Sequence, residues 1–149
     1  MQYILKKLVI LVSLILCAFS TDAQIPREAI EPFIEKWIGV PYRYAGNSIK
    51  GIDCSGLTQK MAKEIFGIDI GRSTKYQMRD VKRVNVKDIQ PCDLIFFRSK
   101  GSPTGYHVGF YLWDGKFMHA ASRKPGVIIS ELSGYPWMMI GRLKTALAN

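Results

Sequence analysis

Residues 107–121 read HVGFYLWDGKFMHAA, and this stretch decides the fold of the second half of the chain. As far as residue 113 its Val, Phe and Leu residues alternate with other types, as expected for a strand with one buried face. The Asp-Gly pair at 114–115 is a hairpin turn signal, and residues 116–121 follow it as the returning strand. The stretch therefore predicts two antiparallel strands joined by a short loop.

The chain has two histidines, His107 and His119, and both lie in this hairpin. A two-residue turn at 114–115 would place the imidazoles on opposite faces. A three-residue loop at 113–115, ending in a left-handed glycine, would place His119 opposite Gly109, with His107 as its diagonal neighbour ~7–8 Å away on the same face. The sequence permits both loops. We expect the three-residue loop, because it gives the glycine a conformational role and brings both histidines to one face.

Upstream of the hairpin the apolar spacing is helical, at residues 30, 33, 34, 37 and 38 and again at 57, 61 and 65. We place Pro32 in the first turn of the first helix, where proline is tolerated, and expect Gly67 to cap the second helix in the left-handed conformation. Ser73 is expected to begin a third helix that ends near Arg79. The pattern becomes β from Val81 onward, with further strands at 94–98 and 127–130. Helices followed by antiparallel strands predict an α+β domain.

The first 23 residues have the layout of a secretory signal. Lys6 and Lys7 precede an apolar run at 8–19, and the small residues of 21–23 offer a cleavage site. Because that run is shorter than the ~18 residues that span a bilayer, we expect no permanent transmembrane anchor. We therefore divide the chain into a signal peptide, 1–23, and a mature domain, 24–149, exported to the periplasm or cell envelope. Cys17 follows a leucine, which argues against its lipidation.

Composition narrows the class of protein. The chain has 149 residues, 48% of them hydrophobic, which fits one globular domain and excludes a disordered chain. Its formal charge of +9 suits anionic surroundings such as cell-wall polymers, and it equally fits a merely basic, solvated surface. Without a longer basic cluster than Lys82-Arg83, nucleic-acid binding is not expected.

Cys54 lies in the segment GIDCSGL, residues 51–57, at the predicted start of the second helix. Unpaired amides and the positive end of the helix dipole favour a thiolate there, and Asp53 is placed to act as the N-cap. Three interpretations stay open. Cys54 could pair with Cys92 in a disulfide, bind zinc together with the two histidines, or act as a nucleophile with a histidine base.

Five ordered blocks resemble one known family. They are PYRYAG at 41–46, DCSGL at 53–57, PCDL at 91–94, HVGFY at 107–111 and FMHA at 117–120. The chain resembles the NlpC-type family of bacterial cell-wall cysteine peptidases, and most of all its small, single-domain exported murein endopeptidases. The resemblance runs from about residue 30 to residue 142. It implies a papain-like α+β fold, with N-terminal helices packed on a central antiparallel β-sheet or half-barrel.

The resemblance also implies roles for four residues. Cys54 matches the family's nucleophile, His107 its general base, and His119 the polar residue that orients the base. Tyr42 matches a tyrosine that lines the site and assists at the oxyanion. The implied reaction is hydrolysis of an amide bond in the murein stem peptide or cross-link through a Cys-His-His thioester mechanism, with no cofactor or metal.

Other matches concern the binding of substrate. Asp53 and Ser55 match positions that contact the amino end of the bound peptide in relatives, although helix capping explains Asp53 equally well. Residues 72–74 and Gln77 match a further block of the family, and helix capping with a solvated arginine explains that block too. The expected partners are therefore peptidoglycan stem peptides, bound by a monomer.

The chain departs from the family's usual sequence at two turns. Ala45 stands where the family usually has the first glycine of a Gly-Gly pair, and Cys92 stands where it usually has glycine. If the second turn requires positive φ, the cysteine side chain costs about 1 kcal/mol of strain. We expect Cys54 and Cys92 to be too differently placed to pair.

Two other functions remain open at this point. A different enzyme on the same scaffold could cut the amide between stem peptide and glycan, or transfer acyl groups. A non-catalytic cell-wall-binding module would carry the cysteine and histidines only incidentally.

Overall fold

The computed structural model describes residues 24–121, 124 and 126–144. Three helices lie in this part: α1 (Arg27–Trp37), α2 (Cys54–Phe66) and α3 (Thr74–Asp80). Its strands are β1 (Asn47–Ser48), β2 (Gly51–Ile52), β3 (Val81–Arg83), β4 (Leu94–Arg98), β5 (Tyr106–Tyr111), β6 (Lys116–Ala120), β7 (Val127–Glu131) and β8 (Trp137–Leu143). None of the helices described is long and apolar enough to cross a membrane. The predicted signal peptide, 1–23, lies outside the described residues.

Six strands form one antiparallel sheet in the order β3-β8-β4-β5-β6-β7, and β1 and β2 form a separate pair. Alternate residues of β4 point to opposite faces. Leu94 and Phe96 join the core that α1 and α2 cover, and Ile95 and Phe97 join a smaller cluster on the other face. Helix α2 packs across β5 and β6. The predicted α+β class is confirmed.

The hairpin β5–β6 has the predicted register, but its turn differs from the prediction. The Leu112 N–H donates to the Lys116 carbonyl at 2.9 Å, which is the pairing expected for a three-residue loop. Asp114 has φ 52° and Gly115 has φ 71°, so two residues take the left-handed conformation where we expected only the glycine to do so. The register, which decides the faces of the two histidines, is unaffected.

Helix α1 begins earlier than its apolar pattern suggests. It starts at Arg27, so Pro32 lies in its second turn, and the prediction of a first-turn proline is wrong. The missing proline N–H removes one intrahelical hydrogen bond. Burial of the apolar face outweighs that loss, through Ile30, Phe33 and Trp37, each at most 4% exposed. The Gly67 cap is confirmed, with φ 70° and an N–H that donates to the Lys63 carbonyl at 3.0 Å.

The sequence patterns did not predict β8, although it lies between β3 and β4 in the sheet. Its segment, WMMIGRL, contains two methionines and a glycine, which are weak strand signals. Gly141 is required there because a Cβ would clash with the Val81 side chain of β3. Strand β8 therefore depends on neighbours that are distant in sequence.

Both departures from the family's glycines carry positive φ. Ala45 has φ 58° and Cys92 has φ 71°, so each side chain occupies a backbone conformation that favours glycine. The turn at Cys92 thus has positive φ, which is the condition under which we predicted strain from the cysteine side chain. Cys54 and Cys92 are both buried and free, which confirms that they do not pair.

Candidate active site

Cys54 is the first residue of α2, and its neighbours show how the chain holds it. Asp53 has extended backbone, and its Oδ1 accepts a hydrogen bond from the Gly56 N–H at 2.7 Å, which confirms the predicted N-cap. Cys54 is 9% exposed, and its Sγ lies 3.9 Å from Oγ1 of Thr74. The thiol thus lies in a nearly dry position at the start of the helix.

Burial keeps the Cys54 thiol protonated in the resting site. It raises the pKa of Cys54 above its ordinary value, and a hydrogen bond with the Val108 backbone offsets only part of that rise. The nearby Asp53 carboxylate raises this pKa further. The helix start favours a thiolate, as expected, but desolvation outweighs it, so Cys54 rests as a thiol. Cys54 needs a base to lose its proton.

Two histidines and a serine form a hydrogen-bonded line across three strands. Nε2 of His107 on β5 lies 2.8 Å from Nδ1 of His119 on β6. Nε2 of His119 lies 3.0 Å from Oγ of Ser130 on β7. His119 pairs with Ile128 in the β6–β7 ladder, so Ser130 is its diagonal neighbour on the same face.

This line couples the tautomers of the two rings. If His107 donates from Nε2 to His119, then Nδ1 of His107 carries the lone pair that can accept a proton. His119 then accepts at Nδ1 and donates from Nε2 to Ser130. Burial lowers the pKa of His107 to about 4 and that of His119 to about 3, so both rings are neutral at pH 7. A neutral His107 is what a general base requires.

Aromatic side chains hold the imidazoles in place. The Phe117 ring stacks on His119 with centroids 4.6 Å apart, and Phe97 lies 6.0 Å from His107. Tyr135 meets His119 edge-on at 5.6 Å. These contacts restrict rotation of the rings and keep water from their faces.

Gly109 permits the two histidines to meet. A Cβ at this position would lie 2.6 Å from the Met118 carbonyl oxygen and 3.0 Å from Cβ of His119. Such distances are shorter than ordinary contacts, so glycine is required for β5 and β6 to approach as they do. The absence of a side chain thus sets the separation of the two histidine-bearing strands.

Tyr42 shares a cleft of about 290 Å³ with Cys54, His107 and His119. A short parallel bridge to Ile52 fixes its backbone beside the start of α2. Burial, followed by the negative charge that Cys54 can carry, raises the pKa of the Tyr42 hydroxyl, so this group stays protonated at neutral pH. A larger cavity, about 690 Å³, lies beside Cys92 at the other end of β4, and none of these four residues lines it.

Asp53 and Ser55 lie next to Cys54 in a polar network centred on Arg72. The guanidinium donates to both carboxylate oxygens of Asp53, at 2.8 and 3.0 Å, and to Oγ of Ser55 at 3.1 Å. Nε2 of Gln77 donates to the Ser55 carbonyl at 2.8 Å. Asp53 and Ser55 are 7% and 6% exposed, so they support the helix start from within. Arg72 is therefore not simply solvated, contrary to the interpretation that the sequence left open.

Three residues that the sequence analysis did not single out belong to the site. Ser130 ends the hydrogen-bonded line, and Arg98 and Tyr135 line the cleft. The sequence predicts a strand at 127–130 but not its register with β6, and only the register places Ser130 beside His119. Within the parts of the chain that the structure describes, no three His, Cys, Asp or Glu side chains cluster closely enough to hold a metal ion.

This arrangement agrees with a family comparison. The model of the NlpC/P60 family matches residues 39–140, which include Tyr42, Cys54, both histidines and Ser130. The chain belongs to the NlpC/P60 family. The resemblance predicted from the five sequence blocks is thereby confirmed.

Two relatives within the NlpC/P60 family are similar in sequence to this chain. The chain is 43% identical over 102 residues to a probable endopeptidase of Haemophilus influenzae, covering 68% of this chain and 63% of that protein. It is 45% identical over 101 residues to the murein DD-endopeptidase MepS/murein LD-carboxypeptidase of Escherichia coli, covering 68% of this chain and 52% of that protein. The chain thus spans between half and two thirds of the length of these two relatives.

Solved structures confirm the predicted papain-like fold of the NlpC/P60 domain. An NlpC/P60 family protein from Bacillus cereus superposes with a TM-score of 0.70 at 30% identity, over 81% of this chain and 41% of that one. The NlpC/P60 domain of the peptidoglycan hydrolase SagA superposes with a TM-score of 0.68 at 29% identity, over 80% of this chain and all of that one.

Proposed function

We propose that this protein is a cysteine-type peptidoglycan endopeptidase that hydrolyses an amide bond of the murein stem peptide or cross-link. One observation carries the proposal: the 2.8 Å contact between Nε2 of His107 and Nδ1 of His119, in the cleft that also contains Cys54. It leaves Nδ1 of His107 as the nitrogen that can take the thiol proton. The names of the relatives, a probable endopeptidase and a murein DD-endopeptidase, support the substrate class.

The reaction begins when Nδ1 of His107 removes the proton from the Cys54 thiol. The thiolate attacks the carbonyl carbon of the substrate amide, and the carbonyl oxygen becomes an oxyanion. The His107 imidazolium donates its hydrogen bond to Nδ1 of His119, which stays neutral and orients the ring. Because the Cys54 thiol and His107 are both neutral at rest, the ion pair forms as the substrate reacts.

Two donors are available for the oxyanion. The Cys54 N–H lies in the first turn of α2, where amides have no partner within the helix. The Tyr42 hydroxyl keeps its proton because its pKa is raised. Removing one donor of this kind typically costs ~10²–10³ in rate.

Collapse of the tetrahedral intermediate releases the amine, which takes the proton from His107, and leaves a thioester on Cys54. His107 then removes a proton from water, which attacks the thioester carbonyl. Breakdown of the second intermediate returns the proton to the Cys54 sulfur and releases the carboxylic acid. His107 thus acts as base, acid and base again, a contribution of typically ~10²–10⁴ in rate.

The proposal includes the location and the boundaries of the protein. We propose that residues 1–23 direct export and are removed, and that a monomer of residues 24–149 acts in the periplasm or envelope. Asp53 and Ser55 support substrate binding by holding the start of α2, and they add direct contacts to the peptide's amino end where their remaining lone pairs allow.

The first test is digestion of purified peptidoglycan and defined muropeptides, with the products identified by mass spectrometry. The wild-type protein should release new stem-peptide fragments, and Cys54→Ala and His107→Ala should release none. Tyr42→Phe should keep measurable activity, because the Cys54 N–H still contacts the oxyanion. Equal, complete loss in all three variants would contradict the role given to Tyr42.

The fragment masses also separate the alternatives. Free glycan with an intact stem peptide would identify an amidase, and a mass gain on an added acceptor would identify an acyltransferase. Binding to peptidoglycan without any product, unchanged in Cys54→Ala, would identify a wall-binding module and overturn the proposal.

A further inference from the structure

The charge of the cleft beside Cys54 is unbalanced. Among the described residues that line it, Arg98 is the one that carries a formal charge at neutral pH, and no Asp or Glu is present. The lining residues are Tyr42, Cys54, Phe97, Arg98, Ser99, Gly101, Ser102, His107, His119, Ala121 and Tyr135. A cleft of one sign concentrates ligands of the opposite sign.

Arg98 differs from the arginines that stabilise the fold. Arg72 forks onto the Asp53 carboxylate, and Arg142 donates to both oxygens of Asp93 at 2.9 and 3.0 Å. Arg98 makes no ion pair with any Asp or Glu in the described part of the chain. Its guanidinium lies 6.0 Å from the centroid of the Tyr106 ring, a contact that holds the side chain without neutralising it.

The position of Arg98 is fixed by the sheet. It is the last residue of β4 and pairs with Tyr106, and the preceding pair joins Phe97 to His107. The charged side chain thus comes from the ladder position next to that of the proposed base. Ser99 and Ser102 also line the cleft.

We infer that Arg98 is a specificity-determining residue that binds a free carboxylate of the peptide substrate close to the scissile amide. This inference rests on the proposed function and narrows its substrate class to acidic stem peptides. A guanidinium matches the geometry of a carboxylate with two parallel hydrogen bonds, and its charge makes those bonds stronger than neutral ones. Amidation of the carboxylate removes both the charge and one acceptor.

The experiment compares two synthetic stem peptides that differ only in their side carboxylates, which are free in one peptide and amidated in the other. Initial rates give kcat/KM for each peptide at low and at high salt. The wild type should prefer the acidic peptide about tenfold at low salt, a moderate value because Arg98 is exposed and screened. The difference in kcat/KM between the two peptides should come mainly from KM.

Substitutions test whether Arg98 causes the preference for the acidic peptide. Arg98→Gln should reduce the ratio of the two kcat/KM values to about one, and Arg98→Lys should keep part of it, since the charge remains but the fork is lost. Arg83→Gln removes an exposed arginine of β3 that does not line the cleft, and it should keep the wild-type ratio. Circular dichroism and thermal unfolding check that each variant is folded.

The affinity of the inactive Cys54→Ala protein for each peptide tests the preference without catalysis. The Cys54→Ala protein should bind the acidic peptide about tenfold more tightly than the amidated one, and adding Arg98→Gln should abolish the difference. Cleavage of both peptides at equal rates would overturn the inference and leave the proposed function intact. Tighter binding of the acidic peptide without cleavage by the wild type would support the inference and overturn the proposed function. Neither binding preference nor cleavage would overturn both.

Discussion

Gly109→Ala should separate strands β5 and β6 at the point where the two histidines meet. The new Cβ would lie 2.6 Å from the Met118 carbonyl oxygen, 2.8 Å from Cδ2 of Phe117 and 3.0 Å from Cβ of His119. A backbone carbonyl in a ladder cannot rotate away as the end of a side chain can. Strand β6 must therefore move by about 0.5 Å or more to restore an ordinary contact distance.

This movement has two separable costs. Overpacking in a closely packed interior lowers the free energy of unfolding by typically 1–3 kcal/mol. The same shift lengthens or bends the 2.8 Å contact between Nε2 of His107 and Nδ1 of His119. Because a misplacement of about 1 Å costs on the order of 10²-fold in rate, we expect kcat on a stem peptide to fall by about 10- to 100-fold.

The assay follows both costs in the same samples. Thermal and urea unfolding give the stability, and NMR of the histidine ring nitrogens gives the tautomers and the hydrogen bond of His107. Hydrolysis of a defined muropeptide gives kcat. Gly134→Ala is the matched control, because nothing lies within 4 Å of a Cβ there, and it should behave as the wild type.

Wild-type stability, ring-nitrogen spectrum and turnover in Gly109→Ala would refute both expected effects. Lower stability with unchanged turnover and spectrum would refute only the claim that the substitution displaces the two histidines.

Three further predictions concern the site and the backbone. Ser130→Ala removes the acceptor of the His119 Nε2–H, so kcat should fall about 3- to 10-fold, as for the loss of one neutral hydrogen bond; Ser130→Thr should recover most of it in the same hydrolysis assay. The free energy of unfolding should decrease as the pH falls from about 6.5 to about 4, because His107 has a pKa of about 4 in the folded chain and near 6.5 when unfolded, so the unfolded state binds the proton first. His119, with a folded pKa of about 3, adds a further loss over this range and below it, so in urea titrations His107→Gln should reduce the total loss by up to about 3 kcal/mol without abolishing it. Ala45→Gly should raise the free energy of unfolding by about 0.5–1 kcal/mol, because φ is 58° there. Its control, Ala29→Gly in α1, should lower it by a similar amount, and the same sign for both in urea unfolding would refute the strain argument.

The hairpin shows how far local patterns reach. The residues at 107–121 permitted two registers, because the side-chain period of two and the length of the loop together decide which residues face each other, and the register that we preferred is confirmed. The N-cap at Asp53 and the left-handed cap at Gly67 were predictable for the same reason, since each depends on contacts within one turn of helix. The proline of α1 was misplaced because burial of the helix face, a tertiary effect, outweighed the local cost of Pro32.

The electrostatics of Cys54 were beyond prediction from the sequence. The helix start favours a thiolate, and the sequence contains that information. The opposing effect is desolvation by burial, which the hydrogen bonds with Thr74 and the Val108 backbone offset only in part. The depressed pKa values of the two histidines have the same origin, because burial is set by packing and not by spacing along the chain.

By itself the sequence determined the position of Cys54 at a helix start and, through resemblance, the family to which the chain belongs, and it narrowed the hairpin to two registers. Only the tertiary structure decided that β8 lies between β3 and β4, that Ser130 ends the histidine line, and that Arg98 lines the cleft without an Asp or Glu partner among the described residues. The physical reason is the range of the interactions. Turns, caps and strand periodicity act between near neighbours, whereas strand order, burial and ion pairing depend on residues that the folded chain brings together from far apart.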